Sequence, residues 1–147
     1  MENLNFLFLE KNANLFPKVV DLLCTEWDMN HLKEIEEPTF DDESIQTLLM
    51  VNSSQNLMAH CNIEKGITCE IAEISYVIVQ EEKRKKGLGK ILMDKAHQVC
   101  KEKGYEKVEI KCKDSRIGFY EKCGYKVMKK LEEYEDGEKL NLMEFEI

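Results

Sequence analysis

The sequence predicts an α/β protein of the α+β kind, a mixed, mainly antiparallel sheet with helices on both faces. Three observations carry that prediction. Strand-like runs outnumber helical ones along the chain. One clear amphipathic helix separates two strand-like runs, and a crossover of that kind makes the two strands parallel. The chain closes on two alternating runs around an Asp-Gly turn signal, the mark of an antiparallel hairpin.

NFLFLE, residues 5 to 10, reads as the first strand. A helix follows Asn12, with Pro17 near its first turn and Phe16, Val19, Val20, Leu22, Leu23 and Trp27 as its apolar set. Residues 28 to 43 are acidic and contain Pro38, so they read as a loop with a short helix near a ligand mouth. IQTLLMV (45 to 51) and NLMAHCNIE (56 to 64) flank the polar NSSQ as a hairpin. ITCEIAEISYVIV (67 to 79) is β-rich and fully apolar at its end, as expected of a central strand. Leu88, Ile91, Leu92, Ala96, Val99 and Cys100 then recur at helical spacing until Gly104 supplies a stop. KVEIKC (107 to 112) alternates as a strand, and DSRIGFYEKCG is helical, with Asp114 or Ser115 as N-cap and Gly124 as its end. Residues 125 to 147 form the closing hairpin.

A length of 147 residues, 43% of them hydrophobic, fits a single domain with a real core. The formal net charge of -8 argues against a general nucleic-acid binder, which needs a broad basic surface to displace counterions. Six cysteines, at 24, 61, 69, 100, 112 and 123, form no CxxC and do not pair with the three histidines. No metal site is expected, and the thiols read as reduced and mostly buried. MENLNFLFLEKN carries no basic leader, and no stretch approaches the roughly 20 apolar residues of a membrane span. The expectation is a soluble, cytoplasmic protein with no membrane partner.

EEKRKKGLGK, residues 81 to 90, lies between a predicted strand and a predicted helix. Gly87 and Gly89 let the backbone turn tightly, and the first N–H groups of the helix point back into the loop. Such donors at the positive end of a helix attract phosphate. Lys83, Arg84, Lys85, Lys86 and Lys90 add charge suited to the pyrophosphate and 3′-phosphate of a nucleotide cofactor. A solvated basic turn is the plainer alternative.

Arg84-Lys85-Lys86-Gly87-Leu88-Gly89 resembles the (Q/R)xxGx(G/A) signature of the GNAT superfamily of acetyl-CoA-dependent N-acetyltransferases, and DSRIGFYEKCGY (114 to 125) resembles its FYxxxGF segment. The resemblance is firm over about residues 70 to 128. It implies a GNAT fold, acetyl-CoA as co-substrate without a metal, and direct attack by the amine in a ternary complex. By the same resemblance the end of the long strand, Val77, Ile78 and Val79, offers backbone groups to the pantetheine arm and polarises the thioester carbonyl. Arg84, Lys85, Lys86, Gly87, Leu88, Gly89 and Lys90 hold the phosphates, and Ser115 and Tyr120 complete the cofactor contacts. In this fold the central strand splays from its parallel neighbour and the cofactor enters the gap.

Transfer to an amine needs a proton acceptor, N–H donors and a proton donor for the departing thiolate. Tyr120 is the candidate donor, because a phenol of ordinary pKa about 10 stays protonated at neutral pH and can protonate a thiolate of about 8.5. The superfamily's central-strand glutamate falls at Ser75, so Glu73, two residues earlier on the same face, and His60 are the candidate bases, directly or through water. Side-chain packing is the competing role for His60, in LMAHCNI, and a solvated or lysine-paired carboxylate for Glu73. His31 and His97 are expected at the surface, and Cys112 and Cys123 as packing residues.

Gly87 to Gly124 is most similar to the eukaryotic glucosamine-6-phosphate N-acetyltransferases, with GLGKILMD, KGYEKVEIKC and FYEKCGY at that family's spacing. That implies glucosamine 6-phosphate as acceptor and a place in amino-sugar metabolism. Two positions depart from it: Ser75 and Lys111 stand where the family has carboxylates. Lys111, Arg116 and Lys129 are the candidate ligands of a sugar phosphate. Thr25-Glu26-Trp27 and Ala59-His60 resemble protein N-terminal acetyltransferases instead, and Ser75 leaves room for a catalytically silent acetyl-CoA-binding module. The resemblance also allows a homodimer built through the C-terminal strand.

Overall fold

The computed structural model describes residues 3–40, 42–133 and 137–147. Its strands are β1 (Leu4–Phe8), β2 (Ile45–Asn52), β3 (Leu57–Lys65), β4 (Ile71–Val79), β5 (Lys107–Lys113), β6 (Lys126–Glu133) and β7 (Lys139–Glu146). The helices are α1 (Phe16–Cys24), α2 (Leu88–Glu102) and α3 (Ile117–Lys122). The strands follow the order β1-β2-β3-β4-β5-β7-β6 in one seven-stranded sheet. β1 with β2, β5 with β7 and β6 with β7 are antiparallel. β4 and β5, the strands joined by α2, pair parallel as expected, with Ile71, Ala72 and Glu73 opposite Lys107, Val108 and Glu109.

The chain divides into two compact units, one of residues up to Ile63 plus Tyr76–Leu92, the other of Glu64–Ser75 plus Met93–Ile147. In the first, Leu15, Val19, Leu22 and Leu23 of α1 and its approach pack with Leu49, Val51, Leu57 and Ile78 of the strands. Pro17 occupies the first turn of α1, where its missing N–H has no intrahelical partner to lose. The expected extension of that helix to Trp27 does not form. Thr25 turns its hydroxyl back onto the Leu22 carbonyl at 2.7 Å, and Trp27 lies beyond the helix end. Among the described residues of the 28 to 43 segment there is a single 3-10 turn, Asn30–Glu34.

Three boundaries differ from the sequence reading for local reasons. β1 ends at Phe8 because a 3-10 turn follows, capped by Asn12, whose amide donates to the Phe8 carbonyl at 2.9 Å. β4 begins only at Ile71, since residues 66 to 71 close a turn through Gly66 N–H to Ile71 C=O. Asp114 does not cap α3. Its residue and the next two form a 3-10 turn, Arg116 is the N-cap, and no side chain caps that helix end.

In the second unit α2 turns Met93, Ala96, His97 and Cys100 inward, at the i, i+3, i+4, i+7 spacing of one helical face. Two expectations fail here. Ile91 is exposed, and His97, expected at the surface, is buried at 8% exposure. Gly104, at φ +88, ends the helix in a left-handed turn in which Tyr105 N–H reaches the Cys100 carbonyl at 3.1 Å. The C-terminal hairpin forms as read, with Gly137 at φ +82 in its turn; Asp136 of the turn signal lies outside the described residues. β7 sits between β5 and β6, so both of its edges are used and it has none to offer a second chain. Among the described residues no helix is long and apolar enough to cross a membrane.

Candidate active site

The first unit holds His60, Val77, Ile78, Val79 and Arg84 to Lys90. β4 departs from regular strand geometry at Tyr76, whose φ is +50. A non-glycine residue there is strained and turns the following backbone groups out of register. The imidazole of His60, buried at 2% exposure, puts Nδ1 2.9 Å from the Tyr76 carbonyl oxygen, so that nitrogen carries the hydrogen and donates. Burial holds the pKa of His60 below the ordinary 6.5, which keeps the ring neutral at physiological pH. A base role for His60 therefore falls to Nε2. The Tyr76 ring packs edge-on against Trp27, centroids 5.3 Å apart.

The strand then feeds the basic loop. Arg84 donates from Nε to the Val79 carbonyl at 2.9 Å, and its guanidinium lies 3.9 Å from Glu26. Arg84 thus ties the loop to the strand end, while Lys85, Lys86 and Lys90 are exposed. Lys85 and Gly87 take left-handed conformations, φ +64 and +78, and the space where a Cβ would stand on Gly87 is open. Ile91 N–H bonds to the Gly87 carbonyl at 3.2 Å as the helix opens. The amides of Leu88 and Gly89, three and two residues before Ile91, have no acceptor within the helix. The left-handed Lys85 and Tyr76 escaped the sequence reading, because neither residue type signals such a backbone.

The second unit holds Glu73, Lys111, Ser115, Arg116, Tyr120 and Lys129. Tyr120 is buried at 9% exposure in an aromatic group, its ring edge-on to Phe119 at 5.0 Å and to Tyr125 at 5.6 Å. Glu73 is half-buried on the same face as Ser75, and the register sets it beside Glu109, which in turn faces Glu144. Lys111 and Lys129 both stand opposite Leu142, on one face two strands apart; Arg116 lies on the 3-10 turn instead. The Ser115 N–H donates to Glu138 at 2.9 Å.

Beneath that turn lies a polar cluster that no motif signalled. Asn141, fully buried, donates to Asp114 at 2.8 Å and to the Cys112 carbonyl at 3.2 Å, and accepts from Lys130 at 2.6 Å. Asp114 also accepts from Lys130 and from the Lys139 N–H, and these hydrogen bonds, led by that from Asn141, hold its pKa at about 2. Cys112 and Cys123 are buried, as a packing role requires, and burial pushes the Cys112 thiol up to about 11. Among the described residues no group of three or more His, Cys, Asp or Glu is placed to hold a metal.

Residues 16–125 match the Acetyltransferase (GNAT) family. The chain belongs to that family. This GNAT protein is 40% identical over 63 residues to an uncharacterized N-acetyltransferase of Chlorobaculum tepidum, a match covering 43% of the chain and 39% of that relative. The chain thus spans well under two thirds of that relative's length. Its fold is shared with a spermidine N-acetyltransferase chimera from Vibrio cholerae and hSSAT, at TM-score 0.81 and 18% identity over 97% of this chain and 95% of that one. It is shared equally with an aminoglycoside 6′-N-acetyltransferase complexed with coenzyme A, at TM-score 0.80 and 15% identity over 97% and 96% of the two chains. At such identities the likeness is one of fold.

Proposed function

We propose that residues 1–147 form one GNAT domain that transfers the acetyl group of acetyl-CoA to a primary amine. One observation carries the reading: a basic loop with two left-handed residues opens directly into α2 and leaves clear space over Gly87. Exposed backbone amides at the positive end of a fifteen-residue helix are what a diphosphate needs. The residues of this chain fit coenzyme A there, Lys85, Lys86 and Lys90 supplying charge and the amides of Leu88 and Gly89 supplying direct contacts. Ser115 belongs with the cofactor contacts, and Arg84 acts by bracing the loop.

The chemistry follows from what an amide bond requires. The acceptor ammonium loses one proton to Glu73, to His60 Nε2 or to water. The free amine attacks the thioester carbon, and the N–H groups at the end of β4 stabilise the oxyanion. The C–S bond breaks, Tyr120 protonates the departing thiolate, and the phenol recovers its proton from the new amide nitrogen. No cysteine carries the acetyl group.

Charge selects the acceptor class. Residues 26 to 44 carry eight acids against the one lysine, Lys33, so nearly all of the chain's formal charge of -8 originates there. A cationic amine such as a polyamine or an amino sugar suits that segment, and spermidine and aminoglycosides are the acceptors named for two proteins of this fold. Glucosamine 6-phosphate is the second reading, favoured by Lys111 and Lys129 sharing one face, where they could take the phosphate. A thiol-release assay across polyamines, aminoglycosides, glucosamine 6-phosphate and short peptides decides among them. Turnover with cationic amines alone supports the first reading, and turnover confined to the phosphorylated sugar supports the second. Activity only on peptides, or coenzyme A binding without turnover, contradicts both.

A further inference from the structure

Tyr120 stands at one end of a chain of aromatic contacts within the second unit. Its ring meets the edge of Tyr125 at 5.6 Å and 76°, and Tyr125 N–H bonds back to the Tyr120 carbonyl at 3.0 Å. Tyr125 is buried at 3% exposure, and its hydroxyl lies 2.6 Å from Nε2 of His97. His97 in turn lies flat on Phe145, centroids 3.9 Å apart and planes 9° from parallel. Phe145 can seat there because residue 124 has no side chain. A Cβ on Gly124 would stand 2.9 Å from its ring. Each ring is therefore fixed by the next, from the C-terminal strand through α2 to the proposed proton donor.

We propose that His97 and Tyr125 are positioning residues for acetyl transfer, locking the ring of Tyr120 in the rotamer from which its hydroxyl can reach the leaving sulfur. This rests on the reading of Tyr120 as the proton donor. The hydrogen bond is what makes the lock specific. Packing alone lets the Tyr125 ring shift along its plane, whereas a short hydroxyl contact to a stacked imidazole fixes both its tilt and its depth. Displacing a reacting group by about 1 Å can lower a rate by up to about 100-fold, so small freedom at Tyr125 reaches the chemistry through Tyr120.

The test compares Tyr125→Phe, which removes only the hydroxyl, with His97→Phe, which keeps the stacking on Phe145, and His97→Gln, whose amide can replace Nε2. Coenzyme A affinity by calorimetry serves as the folding control for each. Tyr125→Phe and His97→Phe are expected to lower kcat by about tenfold with both KM values little changed, and His97→Gln to recover part of the loss. In a Tyr120→Phe background the Tyr125→Phe change is expected to leave kcat where Tyr120→Phe put it. Equal losses in the two backgrounds, a loss confined to KM, or an unaltered kcat overturns the proposal. An unaltered kcat in Tyr120→Phe alone overturns the proton-donor reading itself.

Discussion

His60 donates to the carbonyl of Tyr76, at 2.9 Å, at the one point where β4 leaves regular strand geometry. The Tyr76 carbonyl, on left-handed backbone within the strand, takes this hydrogen bond from a side chain. The sign of the pH effect follows from burial. With its folded-state pKa depressed below 6.5, His60 binds a proton more readily unfolded than folded, so stability is full above that value and falls as pH drops through it. Thermal melts of the native chain and of His60→Gln from about pH 7 to about pH 5 check this. The native Tm is expected to fall more steeply than that of the variant. Parallel slopes would remove His60 from the account.

Tyr120→Phe keeps the ring among Phe119 and Tyr125 and deletes the hydroxyl. Turnover is expected to drop roughly 100-fold or more, one general acid contributing about 100- to 10,000-fold, with KM for acetyl-CoA little changed. Steady-state kinetics on whichever amine the thiol-release panel identifies gives both parameters.

Gly89 lies in the first turn of α2, half-buried. Gly89→Asp puts a carboxylate where the diphosphate is proposed to sit, adding a side-chain clash and charge repulsion. Coenzyme A binding is expected to vanish while circular dichroism remains native. An aspartate variant that still binds would mean that the phosphates lie elsewhere.

Asn141→Leu deletes the buried amide that joins Asp114, Cys112 and Lys130. Leaving the buried Cys112 carbonyl without that donor costs about 1 to 3 kcal/mol, a fall in Tm of roughly 2 to 12 °C. The acid limb should also change. Asp114, lowered from 3.8 to about 2, contributes stability above 3.8 that is lost as pH falls towards 2, and the variant is expected to lose less over that window. Calorimetric melts in acid check both.

Hydrophobic period and turn residues were enough to read the order of elements, because α2 and the two hairpins are specified locally. The parallel pairing of β4 with β5 was legible for the same reason, since only a crossover can join them. The place of β7 between β5 and β6 was not, because neighbour choice in a sheet is decided by long-range packing. Of the site, the basic loop was legible through its glycines. Tyr76 and Lys85 were not, since their left-handed backbones are imposed by the surroundings rather than by residue type. His97 was readable in principle, as its spacing from Met93 and Cys100 sets it on the buried face of α2. The Asp114–Asn141–Lys130 cluster joins residues far apart in the chain and leaves no pattern along it.

The most direct measurement is isothermal titration calorimetry of the purified chain with coenzyme A. Saturable one-site heat that weakens as salt rises and is absent in Gly89→Asp is the predicted result, since charge and backbone amides share the phosphate contact. No heat from the native chain with coenzyme A or with acetyl-CoA would contradict it.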